Sequence, residues 1–494
     1  MVALIKIAVD FGRRALAQHS DSIADAVVVG GGFAGLIAAN RLAEFGRRAV
    51  VLEQGSEAAY PCNSRFTGGA FHVGFLDPVK RQPQELLTGI RARSRVAVPQ
   101  LADAIAGDTR RVISWLREQG VRFARAGADE YKTWVLTPFR NNRYGLDWKG
   151  RGGDVALRTL DKALQSRAGV LHRGVRAVAL DLSNSGYAVV EALEGTQTRQ
   201  FRAKSVIIAD GGFQANPDLV RQFIMPKPEC LLQRGAATGC GDGLRMALKA
   251  GAAHVGMKRF YGHVLSKDAF VKEGLTPFPV VDPIVQAGVV VDGSAQRFVD
   301  EGEGGVWVAN NIAWLPDPLS AVAIFDDAIW RGPAAEGLMA PNPNMLNGGG
   351  RIHSAGSLRE LAVTVDLPAD ALVGTVDEYN AAFVAGTLDR MQPTRVSTYG
   401  KPMRIHQPPF HALRICAGIT YTMGGIAIDE HSRALNHDSK PLERLYAAGC
   451  TTGGLEGGSS NSGYVGGLAK SGVTALRAAE HIAGHRAYSN VRSN

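Results

Sequence analysis

Asp25-Ala-Val-Val-Val-Gly30-Gly-Gly-Phe-Ala-Gly35 opens a stretch that passes through a helical pattern and closes on Arg48-Ala-Val-Val-Leu-Glu53. The apolar run before Gly30 predicts a buried strand, the residues after Gly35 a helix, and Ala49–Glu53 a second strand. Gly30, Gly32 and Gly35 fill the G-x-G-x-x-G positions, with Phe33 and Ala34 between the last two. The first glycine makes a tight turn, the second lets backbone approach a pyrophosphate, and the third lets helix pack on strand. The helix N-terminus offers unpaired N–H groups and a partial positive charge to phosphates. Glu53, 23 residues after Gly30, ends the second strand where a carboxylate can bind ribose hydroxyls. The stretch predicts a Rossmann-like α/β unit that holds a dinucleotide.

At 494 residues the chain is too long for one compact core, so two or three structural units are expected. The 59 glycines cluster in short motifs, which favours tight loops around a ligand over low-complexity tracts. No apolar run approaches the roughly 20 residues of a spanning helix, so no membrane span is expected. The net charge of +9 is spread along the chain without a basic run, which argues against nucleic acid as a partner. That excess either draws in anionic ligands or is an ordinary basic surface. The five cysteines (Cys62, Cys230, Cys240, Cys416, Cys450) form no C-x-x-C pair and no Cys/His cluster. Neither a disulfide framework nor a metal site is indicated, and a reducing, cytoplasmic setting is expected. Residues 1–23 are read as an N-terminal extension, helical or the product of an early start codon, without the apolar core of a signal peptide.

The first unit is expected over 24–255. It holds the loop Cys62-Asn-Ser-Arg-Phe-Thr-Gly-Gly69, a helix ending near Gly120, and a second over Val155–Gln165. Alternating strands follow up to the apolar Val206-Ile-Ile-Ala209. That last run reads as a parallel strand buried on both faces. Gly239-Cys-Gly-Asp-Gly243 then opens a helix over Leu244–Ala250. Residues 256–399 change character, with more Pro and aromatic residues, and are read as an inserted capping domain. Within it Val289–Val291 and Arg297–Val299 are expected to form a hairpin, and residues 370–385 a helix. From residue 400 to 494 the chain returns to the first unit through Thr422-Met-Gly-Gly425, Leu445-Tyr-Ala-Ala-Gly449 and a final helix after Gly463.

The order of these motifs resembles the flavoprotein superfamily of fumarate reductase and succinate dehydrogenase. The resemblance rests on Gly30–Gly35, Ala209-Asp-Gly-Gly-Phe213, Gly241-Asp-Gly243, Arg297-Phe-Val-Asp-Glu301, Thr422–Gly425 and Tyr446-Ala-Ala-Gly449. It implies FAD, a mobile cap, and hydride transfer at flavin N5 with substrate between the domains. It further implies that Glu53 holds the adenosine ribose, that Ser64 and Thr67, Gly68 and Gly69 run near the flavin and its pyrophosphate, and that Asp242 contacts the linker. Phe33, Ala34, Gln54, Val175, Asp210, Gly211 and Gly449 are set against the cofactor in the same way. The turn Gly466-Gly467-Leu468 would aim a helix N-terminus at the flavin edge where reduction builds negative charge.

The chain also departs from that pattern. Asp210 stands for the usual Thr, Cys450 for the usual Glu, and Arg65-Phe66-Thr67 where respiratory members tether flavin through His, so FAD is expected to be non-covalent. The catalytic Arg of fumarate reductases falls on Gly304-Gly305, their His on Tyr421, and a second Arg on Tyr464. A dicarboxylate would lack its counter-charges. Tyr464 before a Gly-Gly turn looks like 3-ketosteroid dehydrogenases, whereas Asn63–Thr67 and Gly418–Thr422 look like tricarballylate dehydrogenase. Both imply α,β-desaturation beside a carbonyl or carboxyl.

Such a reaction needs a donor to the carbonyl, a proton acceptor and a hydride acceptor. Tyr464, with the backbone N–H of Gly467 or Leu468, is the candidate oxyanion site. Tyr421 is a candidate base or proton relay, or else a buried tyrosine beside the flavin. As a base it would need a cation nearby to lower its pKa, for which Arg65, His72 or a cap residue are candidates. His263 in Phe260-Tyr-Gly-His263 is either a proton carrier or structural. Arg65 suits a substrate carboxylate or a flavin phosphate. Asp300-Glu301 is either near the chemistry or a solvated turn. The leading expectation is an FAD-dependent dehydrogenase that passes electrons to a quinone or artificial acceptor. The alternatives are an ene reductase running the reverse reaction and a flavin-holding electron-transfer subunit.

Overall fold

The computed structural model describes residues 23–94, 97–141, 143–337, 340–457 and 463–485. The N-terminal extension, apart from Ile23, lies outside the described residues.

The strand Ala24–Val29 sits at the centre of the first sheet, parallel to Ala49–Glu53 on one side and to the end of Gln197–Ile208 on the other. Val170–Arg173 continues the sheet beyond Ala49–Glu53, and Pro441–Ala447 lies parallel to the far side of Gln197–Ile208. The long strand Gln197–Ile208 has two characters, and its sequence says why. Its polar first half alternates exposed and buried residues and pairs antiparallel with Ala188–Glu194, whereas Ser205–Ile208 is buried throughout. Only the apolar half can enter a parallel sheet covered on both faces.

Two small-residue helices cover this sheet. Phe33–Glu44 starts at the glycine turn and packs against the final helix, Gly467–Ile482. Both are buried around most of their circumference, which Ala and Gly permit by letting backbones approach. At Gly35 a Cβ would overlap the Gly30 carbonyl, so the third glycine of the motif is required by helix–turn packing.

The second sheet is built on Phe410–Thr422. Phe260–Ser266 pairs with it antiparallel along one edge, and Val322–Asp326 along the other half. Val289–Val291 pairs with Val322–Asp326, so the hairpin expected with Arg297–Val299 reduces to a single bridge, Val291 to Arg297. Three consecutive buried valines complete an apolar sheet better than a solvent-facing hairpin, and Arg297 turns away to Glu301 at 2.6 Å. The helix expected over 370–385 is Ala369–Ala385.

Strand pairing resumes in the first sheet only at Arg433–Leu435, later than the return expected at residue 400. Phe410–Thr422 is apolar on both faces, and such a strand carries no mark of the sheet it joins. Among the described residues, no helix is long and apolar enough to cross a membrane.

Candidate active site

A cleft opens at the carboxyl ends of the parallel strands, where ligands of open α/β sheets bind. Gly30, Gly32, Phe33 and Ala34 form one wall of it. Glu53, Gln54, Ser64 and Val175 form a second wall, and Asp210, Gly211, Asp242 and Gly449 line the remainder. The glycine turn lets the start of the helix Phe33–Glu44 face this space. Gly30 has φ +103°, and any Cβ there would press on Ala209 and Asp210. The Ser64 hydroxyl accepts the Phe33 N–H at 2.9 Å, which seats the Cys62–Gly69 loop against the turn.

Glu53 is held rigidly. One carboxylate oxygen accepts the Gly31 N–H at 2.8 Å and the other the Gly55 N–H at 2.7 Å. Gln54 donates to the Thr238 carbonyl at 2.8 Å and so ties the strand end to the opposite wall. Asp242 opens the helix Asp242–Lys249 and is clamped by Arg176 at 2.7 Å and Arg245 at 2.5 Å. Asp210 accepts the Gly243 N–H at 2.7 Å through one oxygen, while the other is shielded from solvent and has no partner among the described residues. Burial, helped by Asp242 nearby, pushes its pKa up to about 7. A buried carboxyl held close to neutrality on the cleft wall fits a ligand that brings hydroxyls and phosphates. The FAD adenosine and pyrophosphate meet that description.

Gly35 lies beneath the turn rather than on the cleft. Thr67, Gly68 and Gly69 form the next turn of the loop, with the Thr67 hydroxyl accepting the Gly69 N–H at 3.1 Å, and do not line the cleft. Gly466 and Leu468 lie at the start of the final helix. Gly466 has φ +146°, and a Cβ there would overlap the His72 carbonyl.

Beside that helix start stand three tyrosines. Tyr261 stacks on Tyr464 with centroids 4.2 Å apart and lies 5.1 Å from Tyr421. The Tyr421 hydroxyl donates to Glu456 at 3.1 Å. Glu456 also accepts the N–H groups of Val465 and Gly466, and pairs with Lys470 at 2.8 Å. Glu456 and Lys470 are both fully buried. Burial works against the Lys470 charge, and the adjacent carboxylate more than offsets it, keeping the ammonium above its usual range.

This geometry favours the alternative reading of Tyr421, a buried tyrosine, over that of a base. Burial, and then the Glu456 charge, drive its pKa well above that of an ordinary phenol. The cation nearest to it is Lys470, already neutralised by Glu456. His72, proposed as a cation, is pushed by burial to about 4 and is neutral. Arg65 is wholly buried in an ion pair with Asp154, its guanidinium over the Tyr60 ring, and does not line the cleft. Asp154 also accepts the Gly150 N–H, so Arg65 clamps the Arg151–Asp154 turn to the loop.

Tyr464 is half-buried, and burial, with Tyr261 and Glu456 adding to it, keeps its proton on well above the usual phenol range. That is the state a hydrogen-bond donor needs. His263 does not touch Tyr421 or Tyr464 directly; it bonds Tyr261 at 3.1 Å and Asp282 at 2.5 Å. Asp300 caps its own turn and Glu301 is buried against Arg297, so neither is a solvated side chain nor part of the tyrosine cluster.

Sequence reasoning missed Glu456, Lys470, Tyr261 and Asp282. Lys470 reads as a surface charge on an amphipathic helix, yet that helix is buried on nearly every side. A signal did exist for Glu456: a lone acid in Gly453-Gly-Leu-Glu-Gly-Gly458 has no helix to solvate it.

Comparison with known proteins agrees with this geometry. The FAD binding domain family matches residues 25–464, and the chain belongs to it. FAD is therefore the dinucleotide of the cleft. The chain is 26 % identical over 489 residues to NADH:fumarate oxidoreductase of Klebsiella pneumoniae, covering 95 % of this chain and 48 % of that protein. The chain thus spans about half the length of that relative. It is 25 % identical over 493 residues to vinyl phenol reductase of Lactiplantibacillus plantarum, covering 90 % of this chain and 92 % of the relative. Among solved structures, 3-ketosteroid-Δ4-(5α)-dehydrogenase of Rhodococcus jostii superposes with a TM-score of 0.73 at 21 % identity, covering 94 % and 97 % of the two chains. The expected kinship with fumarate reductase flavoproteins is borne out, as is the fold of a Rossmann-like FAD unit carrying a cap.

Proposed function

We propose that this protein is an FAD-dependent oxidoreductase that removes a proton and a hydride from adjacent carbons of a ketone- or carboxylate-bearing small molecule, or adds them. One observation carries this reading. Protonated, half-buried Tyr464 stands at the N-terminus of the final helix, beside the Gly466-Gly467 turn. A phenol proton and the positive end of the helix dipole together stabilise a carbonyl oxygen as it gains charge. FAD, when bound, supplies a hydride acceptor or donor. Tyr421, donating into Glu456, has the role of a fixed wall, and Lys470 holds Glu456 in place. FAD is held non-covalently, since Arg65-Phe66-Thr67 stands where a tethering His would be.

The direction of reaction remains the point on which relatives differ. Reductase and dehydrogenase names both occur among the sequence relatives and among the structural neighbours, so the reverse reaction stands as the second reading. A panel of cyclohexanone, a 3-oxosteroid and tricarballylate, with cyclohex-2-enone, fumarate and 4-vinylphenol against photoreduced enzyme, distinguishes the two. Bleaching of oxidised flavin by a saturated compound supports the dehydrogenase. Reoxidation by unsaturated compounds alone supports the reductase. No spectral change with any of them overturns both and leaves the electron-transfer subunit.

A further inference from the structure

The strand Phe260–Ser266 shifts register against Phe410–Thr422 between Tyr261 and Gly262. A shift of this kind re-aims the side chains beside it. Here it brings Tyr261 against Tyr464 while keeping His263, two residues on, on the same strand face. The Tyr261 hydroxyl lies 3.1 Å from His263 Nε2. On the other side of the ring, His263 Nδ1 lies 2.5 Å from Asp282 Oδ2. Asp282 is itself anchored, its second oxygen accepting the Val264 N–H at 2.9 Å. A carboxylate at Nδ1 keeps the proton there and leaves the Nε2 lone pair to accept the tyrosine O–H.

The relay depends on a glycine. A Cβ at Gly305 would overlap the Asp282 carboxylate, so the carboxylate occupies the space that a side chain at 305 would fill. Tyr421 has no comparable exit for a proton, because its carboxylate partner is committed to Lys470 and two backbone N–H groups. Tyr464 has no hydrogen-bonded imidazole behind it among the described residues.

Given the function proposed above, we infer that Tyr261 is the group that exchanges a proton with the substrate carbon next to the carbonyl or carboxyl. His263 and Asp282 are its positioning residues. In oxidation the carbon proton passes to Tyr261 Oη as the tyrosine's own proton moves to His263 Nε2, and Asp282 balances the imidazolium. FAD, when bound, would supply the acceptor for the hydride of the adjacent carbon. Reduction runs each transfer backwards.

The test uses FAD-loaded enzyme and whichever panel compound turns over the wild type. Tyr261→Phe is expected to keep FAD and to slow flavin reduction or reoxidation by about 100-fold or more, the contribution typical of a positioned acid or base. His263→Asn is expected to slow it by about tenfold. In both variants proton transfer becomes limiting, so slowing increases on α-deuteration of a saturated compound, or in D₂O for an unsaturated one. Rates within about twofold of wild type, or a fall without the larger isotope effect, overturn the inference. A second readout needs no substrate: ¹⁵N-histidine spectra, with His263 assigned from H263N, are expected to show the Nδ1–H tautomer. A neutral Nε2–H tautomer overturns the relay, because that nitrogen could not accept the tyrosine proton. If no panel compound reacts with wild type, the proposed function fails, and the tautomer alone still decides the relay.

Discussion

Lys470 Nζ lies 2.8 Å from Glu456 Oε2 with neither side chain exposed, and this pair fixes the start of the final helix against Tyr421. Breaking a buried pair leaves a charge without compensation, which costs about 3–5 kcal/mol. Lys470→Met and Glu456→Gln are each expected to lower unfolding free energy by that order. The double variant should lose clearly less than the sum of the two. Denaturant unfolding of the four proteins measures it, and strict additivity would show that the pair is not coupled.

The raised pKa of Asp210 has a defined pH consequence. Its folded value, about 7, lies above the ordinary carboxylate value of 3.8 because of burial and then Asp242. Stability from this group is therefore fully present below the unfolded value and is lost as pH rises from about 4 through about 7. An ionised Asp210 also repels a pyrophosphate. FAD affinity should fall from pH 6 to pH 8, and Asp210→Asn should flatten that fall and tighten binding at pH 8. Fluorescence titration of flavin checks both; an unchanged pH slope in the variant contradicts the assignment.

Much of this architecture was legible in sequence because its signals are local. The strand–turn–helix at Ala24–Glu44 and the acid at Glu53 follow from backbone sterics and helix-end electrostatics within one short stretch. The cluster around Tyr464 was only half legible. Tyr421 and Tyr464 stood out by replacing expected charged groups, but Glu456, Lys470, Tyr261 and Asp282 reach it from four separate segments. Their meaning arises from burial and long-range pairing, which no local pattern encodes. Arg65 shows the opposite error. A basic residue in a Gly/Ser loop suggests an anion, yet its partner is Asp154, 89 residues away.

The same Arg65–Asp154 pair predicts a structural phenotype. Arg65→Met removes one buried partner of Asp154, which keeps Arg158 at 2.9 Å and the Gly150 N–H, and should lower stability by about 1.5–3 kcal/mol. KM for a reacting panel compound should stay within about twofold, because Arg65 does not line the cleft. A large rise in KM with unchanged stability would return Arg65 to the substrate site.

Non-covalent attachment is checked simply. Acid precipitation of the purified protein should release all flavin to the supernatant. Yellow colour retained in the pellet would reveal a covalent bond.

Tyr464 offers the most direct measurement. FAD-loaded Tyr464→Phe, compared anaerobically with wild type on a reacting panel compound, should keep its flavin spectrum and lose about 10²–10³ in kcat, as removal of one oxyanion donor does. Full turnover by that variant with bound FAD would contradict the assignment of the carbonyl site to the tyrosine at the head of the final helix.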